Sequence, residues 1–95
     1  MRQLDGDENY LQGQWVTLNG KVKANEAAER IDWLIANCLR LVASGDWEAL
    51  YQDPNDGRYW IVFYPESHLH GGGPPSMRAV AEAEAAERFG SFSNT

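Results

Sequence analysis

The sequence predicts an α+β domain: an antiparallel sheet of about four strands, one long helix packed on one face, and a short carboxy-terminal helix. Three observations carry that prediction. Across residues 26–43, Ala27, Ile31, Leu34, Ile35, Cys38 and Val42 follow the i, i+3, i+4, i+7 spacing of a helix with one apolar stripe. Residues 47–52 and 58–64 are two short runs rich in aromatic and β-branched side chains, separated by a turn. Residues 81–89 are rich in alanine and glutamate and stop at Gly90, as a short helix does.

Each element has a local reason. Residues 1–12 are polar apart from Met1, Leu4, Tyr10 and Leu11, and are expected to form a flexible arm ahead of a single domain spanning 13–95. Residues 14–18 read as a strand and 21–23 as its return, because Asn19-Gly20 is the two-residue turn that best tolerates positive φ at both central positions. Asn25 is placed to cap the long helix and Ser44-Gly45 to end it. In the turn at 53–57, Pro54 presets φ, Asp53 offers a side-chain acceptor and Gly57 permits positive φ at the exit. Pro65 closes the following strand, the Gly71-Gly72-Gly73-Pro74-Pro75 stretch excludes regular structure, and residues 76–80 make a last strand.

Composition bounds the function. Ninety-five residues supply one core and not two. Fourteen acidic residues against eight basic give a net charge of −6, which disfavours nucleic acid and anionic membranes and favours a basic partner. A single cysteine, Cys38, excludes an internal disulfide and sits on the apolar stripe, where packing rather than reactivity is expected. The first ten residues lack the apolar core of a signal peptide and no apolar run is long enough to span a membrane, so a cytoplasmic protein is expected.

Two places set pattern against burial. Trp33 lies roughly 150° around the helix from the stripe, which calls either for cover by the arm or the terminal helix, or for contact with a partner. Along residues 59–64, Tyr59, Ile61 and Phe63 point to one face and Trp60, Val62 and Tyr64 to the other, so both faces are apolar. One helix covers one face; the other needs the terminal helix, a second copy or a partner protein.

No motif makes a case for catalysis, a metal or a cofactor. Counted from Asp53, positions six and twelve of a calcium loop hold Arg58 and Tyr64 instead of glycine and glutamate. His70-Gly-Gly-Gly73 matches an oxyanion-hole segment, but the serine elbow that must accompany it is missing. Glu66, His68 and His70 offer three ligands with no fourth, which leaves a small metal-assisted hydrolase as the weakest of the functional readings.

The run Trp47-Glu-Ala-Leu-Tyr-Gln-Asp-Pro-Asn-Asp-Gly-Arg-Tyr-Trp60, then Tyr64-Pro-Glu-Ser67 and His70-Gly-Gly-Gly-Pro-Pro75, resembles the immunity protein 27 family of bacterial toxin systems. Gly13-Gln-Trp15, Asn19-Gly-Lys21 and Ile31-Asp-Trp-Leu34 extend the likeness over about residues 13–90. The resemblance implies a small cytosolic α+β protein that neutralises a cognate toxin, with no enzyme activity and no cofactor. A small acidic domain with surplus aromatic surface fits stoichiometric occlusion of a basic enzyme such as a nuclease. The expected toxin-contacting residues are Asp53, Asp56, Arg58 and Trp60 of the second hairpin, with Glu66, His68 and His70 ahead of the glycines and Trp33 as a further contact. The competing reading is a non-enzymatic interaction or scaffold domain, homodimeric through the aromatic sheet face; free, the chain is expected as a monomer or homodimer.

Overall fold

The computed structural model describes residues 1–45, 47–65 and 73–90. Its centre is a five-stranded antiparallel sheet in the order β1-β7-β6-β5-β4. The strands are β1 (Tyr10–Leu11), β4 (Arg40–Ser44), β5 (Glu48–Gln52), β6 (Tyr59–Phe63) and β7 (Ser76–Val80). A separate hairpin is formed by β2 (Trp15–Leu18) and β3 (Lys21–Ala24). Helix α1 (Glu26–Asn37) and helix α2 (Glu82–Phe89) complete the fold, which is the α+β class the sequence predicts.

The turn chemistry acts as read. Asn19 and Gly20 take φ of 53° and 77°, the two positive values that a tight hairpin turn between β2 and β3 demands. Asn25 caps α1 through its side-chain oxygen, which accepts from the Ala28 amide at 2.9 Å. In the β5–β6 turn, Asp53 accepts from the Asn55 amide at 2.9 Å and Gly57 adopts φ 78°.

The helix is shorter than its apolar spacing predicts. It stops at Asn37, with Cys38 as C-cap, and residues 40–44 become β4 on the sheet edge. The run Leu39-Arg-Leu-Val-Ala43 satisfies a two-residue period as well as a helical one, and β5 offers a row of backbone partners that a longer helix would leave empty. Val42 therefore packs on the face of the sheet opposite α1, and Ala28 rather than Ala27 supplies the first core contact of the helix. Ser44-Gly45 ends β4 instead of a helix, with the Gly45 amide donating to Glu48 O at 2.7 Å.

Two clusters make the core, one on each side of the sheet. On the first face Trp60, Val62 and Met77 pack with Ile31 and Leu34 of α1 and with Leu11. On the second, Leu50, Tyr59 and Ile61 pack with Ala85 of α2, and Val42, Val80 and Phe89 close the rim. The doubly apolar β6 is thus covered within the chain on both faces. An eight-residue helix with no side-chain cap has little stability of its own. Two ion pairs hold α2 down, Arg88 to Glu48 and Arg78 to Glu84, each at 2.7 Å.

Gly13 lies where the first turn of the domain meets β7. Its amide donates to the buried Ser76 hydroxyl at 3.0 Å, and a Cβ there would sit 1.7 Å from the Pro75 carbonyl oxygen. Gly13→Ala is expected to lower stability by at least about 2 kcal/mol in urea unfolding, whereas Gly6→Ala, with open space around it, leaves the midpoint unchanged.

Candidate functional site

The second hairpin brings Asp53, Asp56, Arg58 and Trp60 together, but their chemistry turns inward. Trp60 is fully buried and lies in the first core cluster. Asp53, 2% exposed, is enclosed by its own turn. These two side chains present no surface to a partner. Arg58 stacks over the Trp60 ring at 4.9 Å and donates through Nε to Asp56 at 2.8 Å. Its remaining nitrogens donate to the carbonyls of Glu8 at 2.6 Å and Asp5 at 2.8 Å. Asp56 stays exposed; burial alone raises its pKa, but the Arg58 amide and guanidinium more than offset that and leave the carboxyl below its usual range.

Those carbonyls belong to the amino-terminal segment, and a second arginine grips it from α1. Arg30 forms a bidentate pair with Glu8 at 2.7 and 2.8 Å, and donates to the carbonyls of Arg2 and Gln3. The hydrogen bonds from Arg30 hold the Glu8 carboxyl down to about 2, against the opposing pull of burial. Asn55 adds a contact to the Gln3 side chain at 2.6 Å. Of the hairpin residues singled out from the sequence, Arg58 is therefore the one that holds this segment, with Asn55 beside it, and β1 follows directly, pairing with β7. Trp33 is half-buried and packs with Leu4 against the first core cluster. Glu66, His68 and His70 lie outside the described residues.

Exposed apolar surface is found elsewhere. Helix α1 lies over β1 and β7 on the first face, and a helix about 10 Å wide spans roughly two strands at their spacing of about 4.8 Å. The β5–β4 side of that face stays open. There a groove of about 340 Å³ is lined by Ile35, Ala49, Tyr51, Val62, Tyr64 and Trp47. Trp47 is 66% exposed and Leu41, which faces the same side through its pairing with Tyr51, is 57% exposed. Burial, with the neighbouring Tyr64, pushes the Tyr51 phenol up. The sequence pattern starts a strand at Trp47; β5 begins one residue later, which leaves the indole outside the ladder.

A model of the immunity protein 27 family matches residues 17–81, more than half of the chain. The chain belongs to the immunity protein 27 family. No curated protein and no solved structure matches it. Membership carries the family's role, neutralisation of a toxin, and with it a cognate toxin as partner. The matched segment contains Arg30 and Arg58, the open groove, β3 and the second half of β2, and it leaves out β1 and α2. None of the helices of the described residues is long and apolar enough to cross a membrane.

The arginine grip sets an acid limb. Because the folded pKa of Glu8 lies near 2 and its unstructured value near 4.5, the Glu8–Arg30 pair stabilises the fold fully above the higher value and loses that contribution as pH falls toward the lower. Thermal melts from pH 6 down to about 2 are expected to show a falling midpoint. Arg30→Gln should lower the midpoint at pH 7 by about 2 kcal/mol equivalent and flatten that part of the slope.

Proposed function

We propose that this immunity protein neutralises its toxin by stoichiometric, non-catalytic occlusion in the cytoplasm, and that the toxin is a basic enzyme of the nucleic-acid-cleaving kind. The supporting observation is where the charge goes. Among the described residues, Arg2, Lys23, Arg30, Arg58, Arg78 and Arg88 are each in an ion pair with a carboxylate of the same chain. Six of the eight cations are thus matched locally, Lys21 and Arg40 have no ion pair among the described residues, and the chain keeps its net charge of −6. Asp7, Asp32 and Glu87 are exposed carboxylates with no ion-pair partner among the described residues. Such a field steers a basic partner into encounter and competes with a polyanionic substrate for the same surface.

The competing homodimer reading starts from an uncovered aromatic face on the strand at 59–64; α1 and α2 cover β6, while Tyr64 stays 39% exposed on the open side beside Trp47. Of the residues expected to contact the toxin, Asp56 fits a steering role, while Arg58 fits better as the anchor of the amino-terminal segment.

Co-expression with the toxin domain encoded beside this gene is expected to restore growth and yield a 1:1 complex. Death of the cells and no complex would reject the immunity reading for that pair. Reversing Asp7, Asp32 and Glu87 to lysine should slow association about tenfold in low salt and little at high salt; equal rates in stopped flow would remove the electrostatic part of the proposal.

A further inference from the structure

Two features that are ordinarily protected in a monomer coincide on the open half of the first face. The first is β4, the last strand of the sheet, whose outer edge has no strand partner among the described residues. An unpaired edge presents a row of backbone donors and acceptors, and proteins shield such edges when they have no use for them. The bulge between Leu41 and Ala43 is the shielding present; Arg40 at one end is held by the Gln52 side chain at 2.7 Å. The second feature is the groove beside that edge, walled by Ile35, Tyr51, Tyr64 and Trp47 and large enough for one or two big side chains. Strand addition uses this pairing of features: backbone hydrogen bonds along an edge, and a pocket for alternate side chains of the added segment.

Charge selects the occupant. A second copy of the chain brings another −6, so self-pairing along β4 sets like against like. Among the described residues the groove lining contains no cation. The other exposed apolar element, the β2–β3 hairpin with Leu18 at 54% and Val22 at 66% exposure, carries both lysines of the chain, Lys21 and Lys23. A basic partner meets two lysines on the hairpin; on the groove side it meets one cation, Arg40 at the start of β4, and none in the groove lining.

We propose that the cognate toxin docks here: an extended, lysine- or arginine-bearing segment of it adds to the free edge of β4, and one of its large apolar side chains fills the groove between Ile35, Trp47, Tyr51 and Tyr64. The inference rests on the immunity reading and adds to it the surface and the mode of binding. Trp47 is the central anchor, being aromatic, prominent and next to the groove rather than part of the core.

The test is calorimetric titration of the full chain with the purified toxin domain encoded beside its gene, alongside hydrogen exchange of free and bound protein. Trp47→Ala and Leu41→Lys alter exposed side chains and should leave the melting midpoint within a few degrees. Each is expected to weaken binding at least about 30-fold, while Val22→Glu on the hairpin stays within about threefold. In the complex, amides of residues 40–44 should become protected. If both groove variants bind like the parent and those amides do not slow, this docking surface is wrong while immunity stands. If Val22→Glu alone abolishes binding, the hairpin is the contact and the groove is not. A parent protein that sediments as a dimer, split by Leu41→Lys, would assign the edge to self-association and overturn the proposal. A parent that does not bind the toxin domain at all rejects the immunity reading for that pair and this inference with it.

Discussion

The structure turns on one strand. β6 places Tyr59 and Ile61 on one side of the sheet and Trp60 and Val62 on the other, and all four are buried. A strand apolar on both faces has one stable position, in the middle of a sheet with cover above and below. β6 is the third of five strands, flanked by β5 and β7 over their full lengths. Everything else answers that demand. α1 supplies the cover on one face and α2, weak as a helix by itself, supplies it on the other because Ala85 and Phe89 reach the second cluster.

Cover by α1 is off-centre, and that asymmetry separates a closed half of the first face from an open one. On the closed half, the helix, Leu11 and the amino-terminal segment seal the core, and two arginines hold the segment, Arg58 by the carbonyls of Asp5 and Glu8 and Arg30 by the carbonyls of Arg2 and Gln3 and by the Glu8 carboxylate. Such a grip depends on where the segment's backbone runs and on one side chain, that of Glu8. Arg58 also sits over the Trp60 ring, so the same guanidinium ties the β5–β6 turn, the core tryptophan and the amino-terminal segment together. On the open half the sheet keeps its apolar side chains exposed and its edge unpaired.

The charge economy follows the same division. Arginines are placed where they fasten one element to another: segment to helix, α2 to the sheet, turn to strand. The exposed pairs among them add little stability each, unlike the mostly buried Glu8–Arg30 pair. The chain keeps a surplus of six carboxylates, with Lys21 and Arg40 as the cations that have no ion pair among the described residues.

Local chemistry was legible in the sequence wherever a short stretch determines its own conformation. Asn19-Gly20, the Asn25 cap, the turn at 53–57 and the stop at Gly90 are all observed, since each depends on φ values or side-chain acceptors within a few residues. The immunity 27 family was legible as well, from motifs lying in that same stretch of hairpins. Tertiary structure decided what local pattern leaves open. Residues 40–44 fit a helix or a strand, and the empty edge of β5 made them a strand. Arg58, Asp53 and Trp60 have the composition of a contact surface, yet Asp53 closes its own turn, Trp60 enters the core and Arg58 holds the amino-terminal segment. Trp47 and Tyr64 have the composition of a core, and the finite width of α1 left them outside it. The sequence by itself determined the elements, the family and the anionic character of the chain. Which aromatic residues are covered was decided only by where one helix comes to rest on a sheet wider than itself.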